Sequence, residues 1–149
     1  MSFAVSMSMG ICPSPTSIDN RRPRSESVLI VDDEGPTRHF MAMLLRARGI
    51  RAYEAASAED AIHFLEDGKL PLPSHAVVDV DLPGMGGLDL VRRMAELVPQ
   101  VQAVLVTGAD SRVIEAFRIS YPVRYFAKPV DVPNFLGAMV EMVKDQRPM

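Results

Sequence analysis

The side chains of this chain that could carry out chemistry together follow four short apolar segments. Asp32 and Asp33 follow one segment, Asp79 follows a second, and Thr107 and Lys128 follow two more. Three carboxylates brought together repel one another unless a cation binds between them, and oxygen ligands favour a hard ion such as Mg²⁺. Beside such an ion, an aspartate can act as a nucleophile toward a phosphoryl group.

The hydroxyl and the ammonium also suit phosphoryl transfer, which depends mainly on positioning and on neutralising charge. Lys128 would add positive charge beside the metal, and Thr107 could donate a hydrogen bond to a phosphoryl oxygen. Each residue alone has an ordinary explanation: an aspartate or a threonine after a strand is commonly a turn residue, and a lysine is commonly a solvated side chain. The hypothesis therefore depends on all of them meeting at one place.

Five alternations of strand and helix would bring these residues together. Apolar runs predict strands at Val28–Val31, Arg51–Tyr53, Ala76–Val78, Ala103–Val106 and Val123–Ala127. Nearly continuous apolar strands indicate a parallel sheet that is covered on both faces. Five such units predict a doubly wound α/β fold with strand order 2-1-3-4-5, in which the second strand, the least apolar, lies at an edge. The carboxyl ends of parallel strands meet at one edge, where ligands bind in these folds.

Start and stop signals predict the helices between these strands. Pro36 suits a first helical turn, and Gly49 suits a helix end. The segment Ser57–Asp60 is typical of a capping box, and Asp131 can cap a last helix. The helical spacing of apolar residues predicts two further helices, at Gly87–Leu97 and Asp110–Ile119.

Composition limits the classes of protein to consider. The chain has 149 residues, 48% hydrophobic and 23% charged, which suits one globular domain. The formal net charge of −3 gives no indication of binding to nucleic acid or to an anionic membrane, and no apolar run is long enough to span a bilayer. The single cysteine, Cys12, excludes an internal disulfide and favours a reducing, cytoplasmic location.

The composition also predicts the domain boundaries. Residues 1–26 are rich in serine, proline and methionine and are expected to form a disordered leader. Their basic residues follow a weakly apolar stretch, which is the wrong order for a signal peptide. An alternative interpretation makes these arginines a docking tail. Residues 27–146 form the predicted domain, and residues 147–149 form a short tail.

Four segments of the chain resemble the receiver domain of bacterial two-component response regulators. They occur in the order and spacing of that family: Val28–Glu34, Val78–Gly87, Val106–Gly108 and Tyr125–Pro129. Arg38 and Gly49 also stand where the family has them, and the resemblance covers Ser27 to Lys144. It implies a flavodoxin-like (βα)5 sandwich and a stand-alone signalling switch rather than an enzyme. A sensor histidine kinase or a histidine phosphotransfer protein would supply the phosphoryl group.

The resemblance implies a role for each acidic residue. Asp79 is the expected phosphoacceptor, because it stands four residues before Pro83. Asp33 is expected to bind Mg²⁺ directly and Asp32 directly or through water, with Asp79 and the backbone carbonyl of Asp81 completing the protein ligands.

It implies a conformational switch as well. Thr107 and Lys128 are expected to contact the phosphoryl group, and the Lys128–Pro129 bond is expected to be cis. On phosphorylation Thr107 would move toward the phosphoryl oxygens, and the ring of Tyr125 would enter the vacated space. Gly108 stands where alanine is common in the family, which should loosen this loop slightly.

Two segments bear on partner binding, although the output partner cannot be identified from the sequence. Ile119–Val123 lacks the Gly-Ala turn that is usual before the fifth strand and is about one residue longer, at the border of the usual partner surface. Phe135, Met139 and Met142 on the last helix could form either the face of a homodimer or additional core.

Two other functions stay open at this point. The chain could be a binding module that keeps the receiver fold but works without phosphorylation, although the complete set of site residues argues against this. It could also be an enzyme of similar topology, such as a flavin carrier or an aspartate phosphatase. The acidic segment Asp32–Glu34 would repel a flavin phosphate. Gly84, Gly86 and Gly87 are expected in a turn, and His39, His63 and His75 are expected in surface or capping positions.

Overall fold

The computed structural model describes residues 24–145, so most of the predicted leader and the predicted tail lie outside the described residues. Five strands alternate with five helices along the chain. The strands are β1 (Arg24–Val31), β2 (Arg51–Ala55), β3 (Leu72–Asp79), β4 (Gln102–Thr107) and β5 (Arg124–Ala127). The helices are α1 (Gly35–Ala47), α2 (Ala58–Glu66), α3 (Gly87–Leu97), α4 (Ser111–Ser120) and α5 (Val132–Lys144).

The strands form one parallel sheet in the order β2-β1-β3-β4-β5. This order confirms the predicted 2-1-3-4-5 topology and the edge position of the second strand. β1 is longer than predicted, because Arg24 and Ser25 pair with the start of β3 across a shift in register before Val28. Three residues assigned to the leader from the sequence therefore belong to the sheet.

Helices cover both faces of the sheet and enclose two cores. Leu29 and Val31 of β1 face the core under α2, α3 and α4, whereas Val28 and Ile30 face the core under α1 and α5. All eight residues of β3 are buried, as expected for the central strand of a covered parallel sheet. This packing holds the carboxyl ends of the strands in fixed positions relative to one another.

Helix ends and helix faces mostly follow the sequence signals. The side chains of Ser57 and Asp131 accept the predicted capping hydrogen bonds, from the N–H groups of Asp60 and Asn134. On α5, Phe135 is 2% exposed and Met139 is fully buried, so these two residues belong to the core, whereas Met142 is half-buried against it and a homodimer contact there stays a prediction. No helix within residues 24–145 combines the length and the apolar character that crossing a membrane requires.

The prediction for the three histidines is wrong for His75. This residue lies in β3, is 2% exposed, and has its Nδ1 atom 2.8 Å from the hydroxyl oxygen of Ser74. His63 is exposed in the last turn of α2, and His39 is exposed on α1 beside Glu54. The sequence around His75 lacks a strong apolar pattern, so the start of β3 was not recognised.

Candidate functional site

The predicted site residues stand at the carboxyl edge of the sheet. Asp32 directly follows β1, Asp79 ends β3, Thr107 ends β4, and Lys128 directly follows β5. Carboxylate oxygens of Asp32, Asp33 and Asp79 lie within 4.8 Å of one another. The structure therefore brings together the three acidic residues that the sequence analysis selected, and the group could hold a metal ion.

Asp79 is buried, and two donors orient its carboxylate. Its Oδ1 atom accepts hydrogen bonds from the ammonium of Lys128 and from the N–H of Asp81, each at 3.0 Å. Asp79 is 5% exposed, which leaves its carboxylate largely out of water. Among the described residues no hydrogen bond reaches its second oxygen, Oδ2. That oxygen is therefore available to a metal ion or to an incoming phosphorus atom.

The acidic cluster is electrostatically strained. Burial removes water from the carboxyl group of Asp32 and raises its pKa, and the charges of Asp79 and Asp33 raise it further. The N–H of Glu34, which donates to Asp32 Oδ1 at 2.8 Å, and the ammonium of Lys128 oppose this shift without cancelling it. A bound cation would relieve the repulsion, and an all-carboxylate set suits a hard divalent ion.

Lys128 is held in the charged form beside these acids. Its burial alone would lower the pKa of the ammonium. The hydrogen bond to Asp79 and the negative charges of Asp79, Asp32 and Asp81 outweigh that effect, so the pKa is raised. The Lys128–Pro129 peptide bond is cis, as predicted. Lys128 therefore supplies a permanent positive charge next to Asp79 at neutral pH.

Thr107 and Tyr125, the two residues of the predicted switch, have separate partners. Thr107 is 2% exposed, and its hydroxyl accepts a hydrogen bond from the N–H of Ala109 at 2.8 Å. The hydroxyl of Tyr125 donates to Glu115 on α4 at 3.2 Å. The guanidinium of Arg118 lies over the Tyr125 ring, 5.4 Å from its centroid, and also bonds Glu115 at 3.0 Å. Tyr125 is thus held by α4, and its part in a switch stays a prediction.

The sequence analysis did not identify the packing role of Gly87. Its N–H donates to the carbonyl of Val80 at 3.1 Å, so the start of α3 lies directly against the end of β3. A Cβ atom at Gly87 would overlap the backbone carbonyl oxygen of Asp79. The run Gly84, Gly86, Gly87 indicates a turn, and Gly84 does have a φ of 74°. Nothing in the run itself shows which glycine touches β3.

A cavity adjoins the carboxylates on the side of α1. It has a volume of about 260 Å³, and its lining includes Asp32, Lys128, Phe40 and Pro129. Phe40 is 51% exposed, so an apolar surface lies directly next to the acidic cluster. A larger cavity, of about 520 Å³, lies at the amino ends of β4 and β5, away from the carboxylates.

Comparison with known families agrees with this geometry. The model of the response regulator receiver domain matches residues 28–140. The chain belongs to the response regulator receiver family. Receiver domains are signalling domains of two-component systems that interact with kinases and with output domains, and they bind Mg²⁺ through acidic residues. The family assignment confirms the resemblance drawn from the four segments.

Individual relatives show how far the similarity of this receiver domain extends. It is 31% identical over 124 residues to the positive alginate biosynthesis regulatory protein of Pseudomonas aeruginosa, across 81% of this chain and 48% of that protein. The chain thus spans about half the length of that relative. It is 23% identical over 116 residues to sporulation initiation phosphotransferase F of Bacillus subtilis, across 77% and 91% of the two chains.

A solved structure gives the same fold. The CheY-like response regulator receiver domain protein from Methanospirillum hungatei JF-1 superimposes with a TM-score of 0.72 and 26% identity, across 83% of this chain and 95% of that one. The fold prediction is therefore confirmed both by strand order and by comparison.

Proposed function

We propose that this receiver accepts a phosphoryl group on Asp79 from a sensor histidine kinase or a histidine phosphotransfer protein, in a reaction that requires Mg²⁺. The observation that carries the proposal is the meeting of three carboxylates within 4.8 Å, with the ammonium of Lys128 3.0 Å from Asp79. Family membership supports the same reaction. The domain acts as a phosphoacceptor in the cytoplasm and not as an enzyme on a separate substrate.

The acceptor chemistry follows from the two oxygens of Asp79. Lys128 and the N–H of Asp81 hold Oδ1, and among the described residues Oδ2 accepts no hydrogen bond, so Oδ2 is the oxygen free to react. Oδ2 forms a bond to phosphorus while the bond between phosphorus and the donor histidine nitrogen breaks. The electron pair of that bond stays on the histidine nitrogen. The product is an aspartyl phosphate that is still paired with Lys128.

Asp32, Asp33 and Asp79 would hold Mg²⁺ together with the backbone carbonyl of Asp81. The raised pKa of Asp32 supports this, because a carboxylate that is buried and also crowded by like charges is stabilised by a bound cation. When bound, the ion neutralises the charge on the phosphoryl oxygens during transfer. The hydroxyl of Thr107, at the end of the neighbouring strand, is the donor we expect to reach a phosphoryl oxygen.

Phosphorylation would then act through Thr107 and Tyr125. An aspartyl phosphate carries a charge of roughly −1.5 to −2, like a phosphorylated hydroxyl at neutral pH, in place of the single negative charge of the carboxylate. If Thr107 turns toward it, the ring of Tyr125 can leave Glu115 and enter the vacated space. The surface formed by α4 and β5 changes as a result, and we expect an output partner to recognise that change.

The donor protein is expected to approach along α1. Phe40 and Pro129 line the cavity that also contains Asp32 and Lys128, so a donor can bury apolar side chains directly beside the acceptor. A pull-down of partners with and without a small phosphodonor tests the switch. If wild type and Asp79→Asn bind a partner equally under both conditions, the phosphorylation-independent binding module becomes the better description.

Incubation with acetyl phosphate and Mg²⁺, followed by intact mass measurement, tests the acceptor assignment. Wild type should gain the mass of one phosphoryl group, and a chelator should abolish the gain. Asp79→Asn should gain nothing. The matched control is Asp81→Asn, because only the backbone of Asp81 is assigned a role, and this variant should still be modified. An unmodified wild type, or equal modification of Asp79→Asn, would refute the proposal.

A further inference from the structure

The carboxylate of Asp33 depends on its backbone for its position. It is exposed, and within residues 24–145 no hydrogen bond or ion pair to another protein group involves its oxygens. The other two carboxylates are held by hydrogen bonds: Asp32 accepts from the N–H of Glu34, and Asp79 accepts from the ammonium of Lys128. Whatever fixes the peptide between Asp32 and Asp33 therefore fixes the backbone from which the Asp33 carboxylate extends toward the other two.

Arg38 on α1 holds that peptide. Its Nη1 atom donates to the backbone oxygen of Asp32 at 2.8 Å, and its Nε atom donates to Glu54 of β2 at 3.0 Å. The side chains of Arg38 and Glu54 are 19% and 17% exposed. Charge-assisted hydrogen bonds in such a shielded position are stronger than those on an open surface. The N–H of Asp32 also donates to Ala55 at 3.1 Å, so the residue is held from both sides.

We propose that the pair Arg38 and Glu54 positions the metal site, by fixing the Asp32–Asp33 peptide so that Asp33 faces the other carboxylates before the ion arrives. Arg38 contacts no carboxylate of the cluster and no reacting atom, so it is a positioning residue. The inference rests on the proposed Mg²⁺ site. It explains the need for arginine, because a planar guanidinium donates in two fixed directions at once and an ammonium does not.

The charge of Arg38 makes the inference testable. A positive charge near the cluster opposes a divalent cation, so removing it should strengthen Mg²⁺ binding if charge alone mattered. Loss of the hydrogen bond to Asp32 should weaken binding instead. The two effects have opposite signs, and weaker binding by Arg38→Met therefore identifies positioning. Glu54 compensates part of the guanidinium charge, so Arg38 can donate with a smaller electrostatic penalty.

Arg46 provides a matched control on the same helix. Its Nη2 atom lies 3.6 Å from Glu54 and donates to the backbone oxygen of Ala52 at 2.6 Å. Arg46→Met thus removes the same charge and a contact to the same acid, but leaves Asp32 untouched.

Isothermal titration of the full chain with Mg²⁺ measures the effect directly, without any phosphoryl transfer. Arg38→Met should raise the dissociation constant about tenfold, as expected for groups that orient metal ligands. Arg46→Met should change it by no more than about twofold. Glu54→Gln keeps an oxygen acceptor without the charge and should raise the constant about threefold, which provides a second variant if Arg38→Met folds poorly.

The rate of phosphorylation by acetyl phosphate distinguishes a misplaced metal site from a general loss of structure. For Arg38→Met the Mg²⁺ concentration at half-maximal rate should rise about tenfold, while the rate at saturating Mg²⁺ should stay close to wild type. Equal Mg²⁺ affinity in wild type, Arg38→Met and Glu54→Gln would overturn the inference and leave the proposed function intact, even if the variants were less stable. A wild type that binds no Mg²⁺ would overturn both.

Discussion

Replacing Gly87 with alanine should distort the end of β3, because there is no space there for the added methyl group. An ideal Cβ at this position overlaps the carbonyl oxygen of Asp79 and lies 2.7 Å from the Cα of Val80 and 2.9 Å from the carbonyl carbon of Asp79. All three are backbone atoms, so no side-chain rotation relieves the contact. Either α3 or the end of β3 must move.

The magnitude follows from two opposing contributions. Forcing an extra carbon into a packed region costs about 1–3 kcal/mol, and the rigidity of the three backbone atoms places this site at the upper end of that range. Alanine gains at most about 1 kcal/mol over glycine in a helix interior, and less in a first turn. We therefore expect Gly87→Ala to lower the free energy of unfolding by about 2 kcal/mol.

Gly86→Ala is the control for the Gly87 experiment. The nearest atom to a Cβ at Gly86 is the backbone oxygen of Val80 at 3.9 Å, which is an ordinary contact. Alanine is less favourable than glycine at a helix N-cap, and this alone should lower the free energy of unfolding by under about 1 kcal/mol. Equilibrium urea unfolding followed by circular dichroism compares the two variants. If Gly87→Ala lowers the free energy of unfolding by less than about 0.5 kcal/mol, or by no more than Gly86→Ala does, α3 does not pack against Asp79 as closely as these distances indicate.

Three further changes test other parts of the molecule. Asp32→Asn keeps the oxygen that accepts from the Glu34 N–H. In wild type without metal, the raised pKa of Asp32 means that the free energy of unfolding falls as pH rises from about 4 through that pKa. Urea titrations at several pH values should show a weaker dependence of this free energy on pH for Asp32→Asn. An equal dependence in the two proteins would contradict the expectation. Glu115→Ala should shift the ring NMR signals of Tyr125 without phosphodonor, whereas unchanged signals would mean that Glu115 does not hold the ring. Ser57→Ala should cost about 1 kcal/mol in thermal or urea unfolding, and no loss would argue against its cap.

The sequence was sufficient for the topology and for the acidic cluster, because both depend on local patterns repeated along the chain. Apolar runs located all five strands, and polar residues just after those runs located Asp32, Asp79 and Lys128. The extensions of β1 and β3 were missed, since Arg24 and His75 interrupt the apolar pattern and their pairing is decided across the sheet. The contact of Gly87 with the backbone of Asp79 depends on the path of the turn between β3 and α3, which the residue types do not reveal.

The orientation of side chains could not be predicted from the sequence either. Arg38 was recognised only by its position in the family, and its hydrogen bonds to Asp32 and Glu54 become visible only when α1, β1 and β2 are packed together. The same holds for Tyr125, whose contact with Glu115 depends on where α4 lies. Residue types therefore predicted which acidic side chains meet, whereas the contacts that position them became visible only in the folded structure.

Thr107, which stands at the same edge of the sheet as the acidic cluster, leads to α4 through a short series of contacts. The hydroxyl of Thr107 accepts from the N–H of Ala109, and the next residue, Asp110, caps the first turn of α4. That helix carries Glu115, which accepts from the hydroxyl of Tyr125. If the Thr107 hydroxyl rotates toward a phosphoryl oxygen, the segment before α4 would lose this hydrogen bond, and a shift of α4 would weaken the contact between Tyr125 and Glu115. We therefore expect a change of charge at Asp79 to reach the α4 surface through Thr107, Asp110 and Glu115, without a rearrangement of the sheet.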